Sequence, residues 1–109
     1  MTLPELRTDG IARLPGQPAP TIQKHQLDDR VYVVDLGPLL REHELAVSAE
    51  AVSFQGLQVT NVRSRYGRYL QMNVAGGDVE KSPQDLLATF AVRTSDGQFI
   101  VQVAFRVFK

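Results

Sequence analysis

Apolar and polar residues alternate along most of this chain. In LAVSAEAVS, Leu45, Val47, Ala49 and Ala51 fall on one side, with Ser48 and Glu50 on the other. GLQVTNV repeats the pattern through Leu57 and Val59, and RYLQMNV through Leu70, Met72 and Val74 opposite Tyr69, Gln71 and Asn73. VYVVD, Val31 to Asp35, is β-branched and aromatic and predicts the first strand. In the following LGPLLREHEL, Pro38 can open a single helical turn. Short period-2 runs separated by Gly, Pro, Asn and Asp predict half-buried antiparallel sheet, and no helical stripe of useful length competes.

TSDGQ, residues 94 to 98, separates the last two runs. Folding about Asp96-Gly97 sets Ser95 against Gln98, Val92 against Val101, Phe90 against Val103, Ala88 against Phe105 and Leu86 against Val107. A slip of one residue would put Arg93 opposite Val101 and turn the apolar set outward, so parity is strongly specified. A two-residue Asp-Gly loop, or a four-residue loop of the same parity, satisfies this. About seven strands of this kind describe an all-β, immunoglobulin-like antiparallel β-sandwich. A small barrel is the alternative.

The first part of the chain reads differently. LPGQPAP, Leu14 to Pro20, has three prolines in seven positions, and proline lacks the N–H that a ladder requires. Residues 1 to 23 are therefore expected to form an extended arm, with the β-sandwich domain over 24 to 109. At 109 residues one domain is expected, and 43% hydrophobic with 22% charged residues is ordinary for a globular chain.

Charge and residue inventory narrow the function classes. Twelve basic and twelve acidic side chains cancel, which argues against nucleic acid as the main partner and gives no reason to expect a membrane surface. The chain has no cysteine, so disulfides and thiolate metal sites are excluded. MTLPELRTDG shows no apolar core of a secretion signal, so the expected place of action is the compartment of synthesis or a particle built there.

Motifs with catalytic chemistry are sought without success. His25 and His43 cannot make a metal site alone, and REHE lacks the His-Glu-x-x-His helical spacing. AGGDVEK places Gly76 and Gly77 before a lysine, but a phosphate cradle needs wider glycine spacing; a loop needing positive φ is the simpler reading. The scattered carboxylates do not pair by order alone. No catalytic residue, metal site or cofactor is assigned, and the expected class is non-enzymatic.

Two surfaces qualify for contact instead. VRSRYGRY interleaves Arg65 and Arg68 with Tyr66 and Tyr69, a mix suited to an exposed hairpin tip and to protein contact. The outward side of the last hairpin carries Leu87, Ala91, Ile100, Ala104 and Phe108, more apolar than a solvated face needs. Either the arm covers these positions or they form a subunit interface. In the second case Ile100→Asp or Ala104→Asp leaves folding intact and disrupts self-association.

The order KHQLDDRVYVVDLGPLL, VSFQGLQVTNV, VAGG and FAVRTSDGQ, then a terminal apolar strand, resembles a family of small immunoglobulin-like virion proteins. These belong to tailed bacteriophages and prophages and are described as fiber–tail adaptors. The likeness spans residues 24 to 108, through Asp29, Tyr32, Val34 and Asp35, Leu39-Leu40, Leu57 and Val59, Gly76-Gly77, and Thr94 to Gly97. Leu36 replaces an aromatic, and DVEKSPQDLL is longer and more charged than the usual link. The resemblance implies a structural subunit assembled in the bacterial cytoplasm and carried in the virion. Its implied partners are other tail, neck or fiber proteins and further copies of itself. An immunoglobulin-like module that binds a ligand such as carbohydrate is the competing reading, with Tyr66 and Tyr69 offering stacking.

Overall fold

The structure, a computed structural model, describes residues 7–18 and 20–109. Strands β1 Gly10–Ile11, β2 Ile22–His25, β3 Arg30–Asp35, β4 Ala46–Phe54, β5 Leu57–Arg65, β6 Tyr69–Gly76, β7 Gln84–Thr94 and β8 Gly97–Phe108 are joined by turns and one 3₁₀ turn, Gly37–Leu39, with Pro38 in its first positions. They form two four-stranded sheets, ordered β1-β3-β6-β5 and β2-β8-β7-β4. The sheets are mixed: β1 lies parallel to β3 and β2 parallel to β8, while the other pairs are antiparallel.

One core lies between the sheets. Tyr32, Val34, Leu57, Val59, Leu70, Met72 and Val74 enter from one layer, and Ala88, Phe90, Val92, Val101, Val103, Phe105 and Val107 from the other. Tyr32 meets Phe105 edge-to-face, with centroids 5.3 Å apart. Alternation thus places its inward set where the sequence reading expects it on β5 through β8.

Two expectations are corrected. The final hairpin turns through Ser95-Asp96, so Phe90 pairs with Val101, Ala88 with Val103 and Leu86 with Phe105, two residues from the expected register. Parity survives, and so the inward set is unchanged. The turn is held by Thr94, whose hydroxyl accepts the Asp96 N–H at 3.1 Å and donates to Glu44 at 2.5 Å. Gly97, at φ +145°, takes a backbone shape open mainly to glycine.

The second correction concerns β4. Leu45 and Val47, expected to face inward, are 55% and 63% exposed. A register shift between Ala46 and Ser48 inserts an extra residue and changes the phase, so Ala46, Ala49 and Ala51 turn inward instead. A second shift between Ala51 and Ser53 leaves Val52 exposed.

The arm expected over residues 1–23 falls partly outside the described residues. Its described portion is extended and enters both sheets: β1 borders β3, Arg13 exchanges backbone hydrogen bonds with Gln102, and β2 borders the end of β8. Lys24 points inward from β2 and is 1% exposed. Its ammonium donates to the carbonyls of Gly76 at 2.6 Å and His25 at 2.9 Å. Burial pushes its pKa down, and the carboxylates of Asp28 and Asp29 pull the other way. Gly76 and Gly77 have φ of +76° and +93°, the positive-φ loop their pairing predicts.

Candidate interaction surface

Three loops meet at one end of the two layers: residues 36–45, the Tyr66-Gly67 turn and the Ser95-Asp96 turn. Tyr66 and Gly67 have φ of +54° and +67°, the paired positive values of a tight hairpin turn. His43 also has positive φ, at +65°. Non-glycine residues held this way need surrounding structure to fix them.

Hydrogen bonds supply that structure. Leu45 N–H donates to the Ser95 hydroxyl and Ser95 N–H donates back to Leu45 O, both at 3.0 Å. Ala46 N–H donates to Gly67 O at 2.8 Å, and Leu36 N–H to Arg68 O at 2.9 Å. Glu44 accepts from the Arg41 N–H at 2.9 Å as well as from Thr94, and these bonds hold its carboxyl below the usual range. Each loop is therefore tied to another.

The arginines are also committed. Arg68 grips Asp35 with two nearly parallel bonds of 2.9 and 2.8 Å, and that grip, before any other cause, holds the Asp35 carboxyl below its usual pKa. Its guanidinium also covers the Tyr69 ring at 5.5 Å, and Tyr69 is buried. Arg65 donates to Gln71 at 2.8 Å and lies over Tyr66 at 5.3 Å. Of the two tyrosines offered for stacking, only Tyr66 is exposed, at 45%.

What this end displays is apolar. Leu40, Leu45 and Tyr66, with His43 and Arg41, line a cleft of about 360 Å³. Leu45 lies over Gly67, where a Cβ would come within 2.9 Å of its side chain. The arrangement can receive an apolar side chain without reordering its walls, the condition under which little is lost on binding.

The second predicted set lies elsewhere, on the outer side of β7 and β8. Leu87 stands opposite Ala104, and Ala91 opposite Ile100. Ala91 and Ala104 are buried, Leu87 and Phe108 half-buried, and Ile100 is 36% exposed. Aspartate at Ala104 would therefore be placed in a buried position, against the expectation that folding is untouched. Pro20, Thr21 and Arg13 flank a groove beside Leu87 and Ala104, so the arm borders this face. The structure does not bring these five residues together with Arg65, Tyr66 and Arg68.

Sequence reasoning missed Leu40, Leu45, Glu44, Thr94 and Ser95 as parts of one surface. Turn-forming Ser and Thr were a local signal, but nothing in linear order joins positions 44–45 to 94–95. Among the described residues, no group of three or more His, Asp or Glu is placed to hold a metal ion. No protein-family model matches the chain, and no match is found with curated proteins or with solved structures.

Proposed function

We propose that this chain is a non-enzymatic structural subunit of a phage or prophage virion, a tail or neck connector or fiber–tail adaptor, built on an immunoglobulin-like sandwich. The observation that carries the reading is the three-loop end. Its backbone is cross-tied and its exposed side chains are Leu40, Leu45 and Tyr66, a surface suited to docking.

Strand order supports the fold reading. With β3 to β8 taken as B to G, the layers become B-E-D and C-F-G, the immunoglobulin arrangement, with β1 and β2 added at the edges. In that arrangement the B–C and F–G loops share the displayed end.

Mass spectrometry of particles purified from an induced lysogen carrying this gene tests the reading. The chain is expected at stoichiometric abundance; particles that lack it overturn the assignment. The exposed Tyr66 beside an apolar cleft favours carbohydrate binding as the second reading. Glycan binding lost in Tyr66→Ala, together with absence from particles, would select it.

A further inference from the structure

Strand β4 is the bare border of its sheet among the described residues, with β7 on one side and no strand on the other. It is long for an edge and carries a single charge, Glu50. Such an edge invites another strand unless it is guarded. Its bonds toward β7 include those of Leu45 with Ser95 and Gln55 with Leu87. Counting from these through the two bulges, the N–H and C=O of Ala49 and Ala51 turn to the open side.

Charges beside this edge are unsatisfied. Glu50 pairs across to Ala91, and Ser48 to Arg93, so both charged side chains share the outer face. Among the described residues neither the Glu50 nor the Arg93 side chain has a hydrogen-bonded or ionic partner, and both are exposed. Between them Ser48 and Ala49 help line a shallow depression.

We propose that β4 pairs antiparallel with β4 of a second copy about a two-fold axis at Ala49, extending the sheet across both subunits. This deepens, and rests on, the reading of the chain as a self-associating subunit. Ala49 then faces its own counterpart with both backbone bonds made, and Ser48 faces Glu50 of the second copy. Arg93 stands one strand further in from Ser48. Strands lie about 4.8 Å apart, so Arg93 reaches over the small serine to Glu50 of the other copy, twice by symmetry. The bulges at either end of Ser48–Ala51 restrict pairing to this short run, which fixes its register. The contact uses the same surface on both copies, so it closes at two.

Charge reversal tests the pairing. Light scattering on the purified chain, over a concentration series reaching the millimolar range, is expected to approach twice 12.1 kDa. Glu50→Arg and Arg93→Glu should each hold the mass at that of one chain, with unchanged thermal melts showing that both variants fold. Mixing the two variants should restore the dimer, because each interfacial arginine then meets a glutamate. A wild-type chain that stays at 12.1 kDa throughout overturns both this pairing and the self-association in the proposed function. A wild-type oligomer unaffected by either reversal, or a mixture that fails to reassociate, overturns the pairing alone.

Discussion

Thr94 and Glu44, fifty positions apart, are joined by a hydrogen bond from the threonine hydroxyl to the carboxylate. The same hydroxyl accepts the Asp96 N–H, so one side chain sets the final turn and ties it to the approach to β4. Thr94→Val keeps the shape and removes both bonds. The variant is expected to melt about 5 °C lower, with faster amide exchange at Asp96 and Ser95. Unchanged exchange at those two amides would contradict the role given to Thr94.

Gly67 joins backbone shape to the cleft. Gly67→Ala forces an L side chain into φ +67° and drives its Cβ toward Leu45. A loss of about 1–2 kcal/mol in urea unfolding is expected from the conformation alone. The displaced Leu45 should also change any binding at this end. Full stability in the alanine variant would show that the turn can adopt another form.

Lys24 carries a charge into the core margin with only carbonyls as acceptors. Its folded pKa is lowered, so between that value and the ordinary 10.5 the unfolded chain binds more protons. Its contribution to stability therefore rises with pH through that window. Lys24→Met, which removes the charge and keeps the volume, should be at least as stable as wild type at pH 7. Its advantage should shrink as pH approaches 10.5. Tyr32 titrates in the opposite sense, its pKa raised mainly by burial, and is common to both chains. Urea melts of the pair at pH 7 and 10 measure the difference; an advantage that widens with pH would refute this assignment.

Asp35 acts at the other extreme. Its folded pKa is lowered, so the stability it lends is complete above its ordinary 3.8 and is lost as pH falls through the folded value. Arg68 is half exposed, so solvent screening limits this to about 0.5–1 kcal/mol. Asp35→Asn should flatten the acid limb of the stability curve between pH 5 and 2, and Arg68→Lys should reduce it by removing the two-pronged grip. Glu44 and Asp85, also lowered, leave a residual slope of the same sign. Identical acid limbs in wild type and Asp35→Asn would exclude the pair as its source.

Alternation made most of the core legible, because each step along a strand reverses the side-chain direction. Leu57, Leu70, Met72, Phe90 and Val103 lie where it places them. It specifies parity and not partner, so the last hairpin was read two residues out of register. It also fails where a bulge adds a residue, as at Val47 and Val52. Lys24 was invisible because a charged residue ordinarily marks the wet side of a strand. The short β1 has no period to read. The loop end was legible only in its Tyr-Gly turn, since the bonds that assemble it join residues close in space and remote in order.

The neighbouring positions of β2 and β8 have a mechanical consequence. The two run in the same direction, Ile22 beside Phe105 through His25 beside Phe108. Tension entering ahead of Ile22 and leaving past Phe108 drags these strands along one another in opposite senses. The bonds between them then share the load together, as in shear, rather than opening one after another as in peeling. Lys24, gripping Gly76 in the other layer, adds a transverse anchor at the same seam.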